Sequence, residues 1–257
     1  MEYFFIPLTA LLASGLTLFS GFGLGTILMP VFAVFFPVEV AVALTAIVHF
    51  LNNLFKLWLV GRQAKRIIII QFGLPAMVAA ILGAMALHRL EGLSDWGRYH
   101  LGSREFHMTP IKVIMAVLIM AFVVLELSSR WRKLAFDRRH LLWGGLLSGF
   151  FGGLSGHQGA LRSAFLIKWG LTKEEFISTG VVIACLVDVA RMFVYAHNFP
   201  SIEWKLQTPL LSLSVLAAFL GAWIGNQLVK KVTLRWIHIL VSFLLSVIAL
   251  GLGFGLI

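Results

Sequence analysis

Charged residues are scarce in this chain. Only 12% of its 257 residues are Asp, Glu, Lys or Arg, whereas 60% are hydrophobic, and the mean hydropathy is +0.94. So little polar surface cannot cover a soluble globule of this size. The shortage excludes a water-soluble protein and predicts an all-α polytopic membrane protein, with residues 1–257 forming a single membrane domain.

Cysteine and catalytic motifs are also missing. The single cysteine, Cys185, excludes an intrachain disulfide and any multi-cysteine metal site. The chain has no H-E-x-x-H motif, paired carboxylates or nucleophile elbow, so we expect no enzyme activity, no metal and no cofactor. The net charge of +10 comes from basic residues in short loops between apolar segments, where they orient a membrane protein and need no nucleic acid.

Long apolar runs are what the sequence has in abundance. A run of about 20 residues spans a ~30 Å hydrocarbon core as a helix, at ~1.5 Å per residue. Runs of this kind predict transmembrane helices at 38–60, 67–88, 109–127, 172–197, 206–229 and 233–256.

Two further apolar regions, 3–36 and 139–170, contain glycine-rich interruptions. The interruptions are SGFGLG at 20–25 and GGLSGHQG at 152–159. The pieces that follow, 26–36 and 160–170, would reach only ~16 Å, about half the core. Each region therefore predicts a re-entrant helical hairpin that turns back within the membrane.

Clusters of basic residues predict the orientation of the chain. The cytoplasmic side of bacterial-type inner membrane proteins is rich in Lys and Arg, which places three connections inside, including the linker 128–138. The connections 89–108 and 198–205 then lie outside. Only an odd number of crossings between 139 and 198 satisfies this arrangement, so we expect both termini outside. The clusters are Arg62, Lys65 and Arg66; Arg130, Arg132, Lys133, Arg138 and Arg139; and Lys230, Lys231 and Arg235.

The two halves of the chain resemble each other. Ser14-Gly15 aligns with Ser148-Gly149, and Gly25 aligns with Gly159. With a one-residue shift, Glu39 aligns with Glu174, Asn53 with Asp188, and Lys56 with Arg191. Each half, 1–127 and 139–257, would hold a glycine-broken hairpin plus three transmembrane helices, an odd number. The halves are therefore expected to be inverted-topology repeats, as in secondary transporters.

The chain resembles the TauE/SafE family of sulfite and organosulfonate exporters. The resemblance rests on the glycine-rich break, on PVFAVFFPVEVAVALTAIVHFLNNLFKLWLVGR (30–62) and on GLTKEEFISTGVVIACLVDVARMFVY (170–195). It implies a membrane transporter of small sulfur-containing anions. The chain departs from the family pattern in a longer outer connection, 89–108, and in four polar residues at the second break, Ser155, His157, Gln158 and Arg162.

The breaks predict a cavity that binds an anion. Irregular backbone is tolerated in a membrane only where it lines a cavity or is buried in protein. If the hairpins enter from opposite faces, two half-helix N-termini point at one space and attract an anion. We assign Gly23, Gly25, Gly156 and Gly159 to this cavity; Gly144, Gly145, Gly149 and Gly221 are instead expected at helix contacts.

Polar side chains on two helices extend the candidate site. His49, Asn52, Asn53 and Lys56 share one helical face, and Asp188, Arg191 and Tyr195 share another. Ionisable residues inside a membrane are functional candidates. Several alternatives stay open. Lys56 could extend to the cytoplasmic surface, Asp188 and Arg191 could simply neutralise each other, and the serines could serve the hairpin backbone. Arg162 could pair with Asp188 or with backbone carbonyls, and the histidines could be neutral hydrogen-bonding residues.

These observations predict a secondary transporter or facilitator for a small sulfur-containing oxyanion; the alternative is a membrane accessory or assembly protein without transport activity. The expected partners are the anionic substrate and membrane lipid, with a homodimer and a coupling proton left open. The proton-coupling candidates are His49, His157 and Asp188. The substrate-binding candidates are Gly23, Gly25, Thr26, Asn53, Lys56, Ser155, Gly156, His157, Gln158, Gly159, Arg162 and Arg191.

The predicted orientation can be tested with reporter fusions. Reporters active only outside the cytoplasm, fused after Ile257 or inserted within 198–205, are expected to be active, whereas one inserted within 128–138 is expected to be inactive. A C-terminal reporter that is active only in the cytoplasm would contradict the odd number of crossings.

Overall fold

The computed structural model describes residues 1–20, 23–60, 63–128, 136–198, 204–228 and 234–257. Most of these residues are helical, and we number the helices in chain order. They are α1 (Glu2–Ser20), α2 (Leu24–Ala33), α3 (Val38–Val60), α4 (Arg66–Glu91), α5 (Pro110–Leu127), α6 (Leu141–Ser155), α7 (Gly159–Leu166), α8 (Lys173–Asn198), α9 (Trp204–Leu228) and α10 (Leu234–Gly253).

The helix lengths fit a multi-pass membrane protein. Within the described residues, four helices are long and apolar enough to span a membrane, at Val38–Leu59, Arg66–Glu91, Lys173–His197 and Leu206–Gln227. The other predicted spans, 109–127 and 233–256, coincide with α5 and α10, whose described apolar stretches are shorter. Helix α4 widens into a π-helical turn at Ile69–Gly73 just before Pro75, where the proline removes a backbone donor.

Both predicted helix breaks are present. Helix α6 ends at Ser155, Gly156 adopts a left-handed conformation with φ of +81°, and α7 begins at Gly159. In the first half, α2 begins at Leu24, and Gly21 and Phe22 lie outside the described residues. The second arms are shorter than predicted, because α2 ends at Ala33 and α7 gives way after Leu166 to a 3-10 turn, Ile167–Trp169.

The helical fold class is confirmed, and the outer connection adds a small β-hairpin that the sequence did not predict. Strands β1 (Gly97–Leu101) and β2 (Arg104–Met108) form an antiparallel hairpin. Its tight turn uses Gly102 at φ +65°, and the rings of Tyr99 and Phe106 stack as a cross-strand pair. The Tyr99 hydroxyl donates a 2.7 Å hydrogen bond to the carbonyl of Phe254. The hairpin and the end of α10 therefore lie at the same end of the helix bundle.

A hydrogen-bonded carboxylate stabilises the start of this hairpin. His107 Nδ1 donates to Asp95 Oδ2 at 2.8 Å, and Arg98 Nε donates to the same oxygen at 3.0 Å. The bond from His107, with a smaller contribution from Arg98, holds the pKa of Asp95 below its usual value.

Glycines bring α4 and α6 into close contact. A Cβ atom added to Gly149 would lie 2.0 Å from the carbonyl oxygen of Ala76, and one added to Gly153 would lie 2.0 Å from that of Ala80. The contacts advance together along both chains, so the two helices are parallel. Small residues permit this close backbone approach between membrane helices.

Helices α1 and α9 form an equivalent parallel pair. A Cβ atom on Gly221 would lie 2.0 Å from the carbonyl oxygen of Leu11, and one on Gly225 would lie 2.5 Å from that of Gly15. A Cβ atom on Gly145 would likewise lie 2.4 Å from the carbonyl oxygen of Phe72, so the packing role predicted for Gly145, Gly149 and Gly221 is confirmed. Gly144 packs closely on the ring of Phe165.

The contacts between helices repeat in the two halves. Helix α1 packs on α9 as α6 packs on α4, and α4 packs on α8 as α9 packs on α3. Two contacts join corresponding helices directly, α3 with α8 and α5 with α10. If each helix of the first half is exchanged with the helix numbered five higher in the second half, the main contacts between helices therefore stay the same.

Gly149→Val tests the close packing of α4 and α6. The new side chain collides with the backbone of Ala76, which cannot move without shifting a helix, so we expect a destabilisation of about 1–3 kcal/mol. Thermal unfolding in detergent measures it. Gly92→Ala is the matched control, since its Cβ atom would meet nothing closer than 3.9 Å; equal unfolding temperatures for the two variants would contradict the packing.

Candidate functional site

The two helix breaks touch each other. A Cβ atom on Gly25, in the first turn of α2, would lie 3.3 Å from the carbonyl oxygen of Gly156 and 3.8 Å from the His49 ring. All of α2 is buried, including Thr26, which is 3% exposed. The start of the first half-helix therefore contacts the second break and the middle of α3.

Both half-helices begin without a side-chain cap. Gly23 precedes α2 and Gln158 precedes α7, and neither position has a capping hydrogen bond from a side chain. The first N–H groups of a helix have no partner within it and carry partial positive charge. The breaks thus bring two uncapped helix starts, at Gly23–Gly25 and at Gln158–Gly159, into one region.

A buried hydrogen-bond network joins α3 to α8 beside the breaks. His49 Nδ1 donates to Asp188 Oδ2 at 2.7 Å, and Asn53 Nδ2 donates to the same oxygen at 3.2 Å. His49, Asn53 and Asp188 are 4%, 5% and 0% exposed. Two of the three proton-coupling candidates are therefore direct partners.

Asp188 also holds Arg191 on its own helix. Arg191 Nε donates to Asp188 Oδ1 at 3.0 Å, and Nη2 lies 2.8 Å from the same oxygen in an ion pair, although its angle is poor for a hydrogen bond. The neutralising pair that the sequence left open is therefore formed. It does not by itself exclude a role in transport.

Arg191 and Tyr195 bind the end of α6. Arg191 Nη1 donates to the carbonyl of Gly152 at 3.4 Å, and the Tyr195 hydroxyl donates to that of Gly153. Both carbonyls lie in the last turn of α6, and that of Gly152 also accepts from the backbone N–H of Gly156 at 3.0 Å. Side chains of α8 thus hydrogen-bond to the end of α6.

The serines of the second break bond to nearby backbone. Ser155 Oγ donates to the carbonyl of Phe151 at 3.0 Å, and Ser163 Oγ donates to that of Gly159 at 2.9 Å. Ser148 Oγ donates to the carbonyl of Gln158 at 3.0 Å. The hydroxyls therefore hydrogen-bond to the hairpin backbone, which is one of the two roles that the sequence left open for them.

His157 is held by its backbone and by an aromatic ring. Its Nδ1 donates to the carbonyl of Ser155 at 3.0 Å, and its ring stacks on Phe122 with centroids 5.1 Å apart. Because Nδ1 carries the proton of this bond, Nε2 of a neutral ring is left as an acceptor. Nε2 is buried and has no hydrogen-bond partner among the described residues.

Several buried polar atoms near the breaks have no hydrogen-bond partner within the described part of the chain. They are His157 Nε2, both polar atoms of the Gln158 amide, Asn52 Nδ2 and Arg162 Nη1. A buried polar group without a partner costs about 1–3 kcal/mol, more if charged. The group contains three donors and two acceptors, so a polar ligand bound beside them would satisfy both kinds of atom.

Two cations near the breaks form no ion pair with the residues that the structure describes. Lys56 is 5% exposed and makes no ion pair or hydrogen bond with any residue described. Its buried position argues against an extension to the cytoplasmic surface. Arg162, in the first turn of α7, is partly buried with Nη1 fully enclosed, and its charge repels that of Lys56.

Some of these contacts were not foreseen from the sequence. Ser14 Oγ donates to Asn52 Oδ1 at 3.0 Å, and Phe122 reaches His157 from α5. Both depend on tertiary contacts that helical periodicity does not encode. No group of three or more metal-binding side chains was found where the chain is described.

Asp188→Asn tests the role of the buried carboxylate. The change removes the charge that compensates Arg191, and leaving one partner of a buried ion pair alone costs about 3–5 kcal/mol. We expect a large loss of stability in chemical unfolding experiments in detergent. Glu105→Gln, on the exposed hairpin, is the matched control and should change little; an Asp188→Asn variant as stable as this control would refute the pairing.

Comparison with known proteins places the chain in a family. No curated protein and no solved structure matches it. The family model described as sulfite exporter TauE/SafE matches residues 6–252, nearly the whole sequence. That match includes both helix breaks and the polar faces of α3 and α8, and it agrees with the apolar helices of a multi-pass membrane protein. The chain belongs to the TauE/SafE family of sulfite exporters.

Proposed function

We propose that this protein is a secondary transporter or facilitator that moves a small sulfur-containing oxyanion, such as sulfite or a sulfonate, across the cytoplasmic membrane. The substrate binds where the two helix breaks meet and is exposed alternately to either side. One observation carries this proposal: Lys56, which is buried, and Arg162, whose Nη1 is buried without a hydrogen-bond partner, form no ion pair with any described residue.

An oxyanion meets each of these requirements. Its oxygens only accept hydrogen bonds, and the buried donors without partners include Gln158 Nε2, Asn52 Nδ2 and Arg162 Nη1. The planar guanidinium of Arg162 can bind two oxygens at once. The uncapped starts of α2 and α7 add partial positive charge, and the glycines at 23, 25, 156 and 159 let the ligand approach the backbone.

The transport mechanism that we propose uses two inverted repeats, 1–127 and 139–257. The repeated contacts between helices support this division. The two parallel helix pairs support it as well, because α1 runs parallel to α9 and α6 runs parallel to α4. Each pair joins a helix of one half to a helix of the other half. In this arrangement α1–α2 and α6–α7 are re-entrant hairpins that enter from opposite faces, and the halves move against each other about the shared site.

Proton coupling is the second part of the mechanism. The His49–Asp188 bond joins α3 of one half to α8 of the other. A proton bound between these groups would change the attraction between the halves, which makes the pair the best placed of the coupling candidates. His157 is the alternative carrier, since its Nε2 has no partner among the described residues.

The orientation that we propose places both termini outside an inner membrane. The bond between Tyr99 and the Phe254 carbonyl supports the same side for the C-terminus and the connection 89–108. The parallel α1–α9 pair supports the same side for the N-terminus and the connection 198–205.

Flux in proteoliposomes tests the proposal. We expect wild-type protein to carry sulfite, and Arg162→Ala and Lys56→Ala each to reduce the rate at least roughly tenfold, because each removes a charge that binds the anion. Sulfonates and sulfate are compared in the same assay. Flux that neither substitution alters would show that the site lies elsewhere.

The controls separate the site from surface charge. Arg104→Ala removes an exposed arginine on the hairpin and should leave flux unchanged. Arg162→Lys keeps the charge but loses the two-point geometry, so it should fall between wild type and Arg162→Ala. If no anion moves at all, the accessory role becomes the better account.

A further inference from the structure

The charges around the breaks are unbalanced by more than one unit. Lys56, Arg162 and Arg191 are the cations of this region, whereas Asp188 is its single carboxylate within the described residues. His49 and His157 each donate through Nδ1 and can remain neutral. With each side chain in its ordinary ionisation state, the described residues of this region carry an excess of two positive charges.

We propose that the site selects an anion carrying two negative charges, and that Lys56 sets this preference. The inference rests on the transport function proposed above and goes further by fixing the charge of the substrate. A site of this kind would discriminate dianions from monoanionic sulfonates. A general preference for sulfur oxyanions would not make that distinction.

Arg191 is not part of the excess. Two of its nitrogens contact Asp188 Oδ1, at 3.0 and 2.8 Å, and the third donates to the carbonyl of Gly152. Asp188 neutralises its charge, and Nε and Nη1 donate to protein atoms, whereas Nη2 is in ion-pair contact without a hydrogen bond. The positive charges left for a ligand therefore belong to Lys56 and Arg162.

Lys56 and Arg162 approach helix α8 from different helices, α3 and α7. Lys56 lies one helical turn beyond Asn53, whose amide donates to Asp188 at 3.2 Å, and Arg162 Nε lies 3.3 Å from the position of a Cβ atom added to Gly180. Asp188 also attracts Arg162 electrostatically, but the two make no hydrogen bond among the described contacts. Two like charges in one region repel each other, and an anion bound between them removes that repulsion.

Charge matching then decides which anion is bound. A monoanion neutralises one cation and leaves the other buried without a partner, which is strongly unfavourable. A dianion neutralises both. Arg162 can bind the anion through two directional hydrogen bonds, whereas Lys56 supplies a compact charge with little directional preference. Removing Lys56 should therefore change which anion charge the site prefers more than which anion shape it prefers.

Sulfate and methanesulfonate separate charge from shape. Both are tetrahedral and similar in size, but a methyl group in methanesulfonate replaces one oxygen, so it carries one charge and sulfate carries two. The experiment measures, for each anion, the concentration that half-saturates the thermal stabilisation of the purified protein and, in parallel, its flux in proteoliposomes. Sulfite is left out because its charge varies near neutral pH.

For the wild type we expect sulfate to half-saturate at a concentration roughly tenfold or more below that of methanesulfonate. In Lys56→Gln the order should reverse, with sulfate weakened and methanesulfonate bound at least as well as before. Lys168→Gln removes an exposed lysine near Asp137 and should retain the wild-type order. Lys56→Met is a second variant in case the glutamine amide disturbs folding, and the unfolding temperature without ligand checks both.

The outcomes distinguish the two proposals. If neither anion binds or moves, and sulfite does not either, the proposed function fails. If both anions bind and move with equal half-saturation, the function stands and the charge selection is overturned. If sulfate is preferred but Lys56→Gln keeps that preference, the assignment to Lys56 is overturned.

Discussion

The contact between two helix breaks is the constraint on which the rest of the structure depends. Backbone that leaves a helix loses its hydrogen bonds, and hydrocarbon offers no replacement. Here the start of α2 lies against the carbonyl of Gly156, so each break is covered by the other. The full burial of α2 and the capping of α6 by Arg191 and Tyr195 follow from the same need.

This constraint divides the interior charges into two groups. Asp188 and Arg191 neutralise each other and hold the backbone of the second break, so they are explained without a ligand. Lys56 is buried and Arg162 is partly buried, and neither forms an ion pair with a described residue. Placing such charges inside a membrane is costly unless another group compensates them. The first group makes the second possible, because the breaks must be held in place before their helix starts can face an anion.

The sequence was most informative where a physical rule is local. Glycine interruptions predicted the break after Ser155 because such backbone needs a positive φ, and apolar length predicted the long helices. The hairpin at 97–108 was missed because its alternating pattern is short, and Phe122 beside His157 was missed because that contact joins residues far apart in the chain. Helical spacing placed His49, Asn53 and Asp188 on the right faces but could not show that these faces meet.

The central claim is that an anion binds where the breaks meet, and locating a bound selenate ion by its anomalous scattering tests it most directly. Selenate has the shape and charge of sulfate, and its heavy atom identifies the site independently of model building. The account predicts one peak within hydrogen-bonding reach of Arg162 and the start of α7. A protein that binds selenate in solution but shows its peak away from both helix breaks would contradict the account.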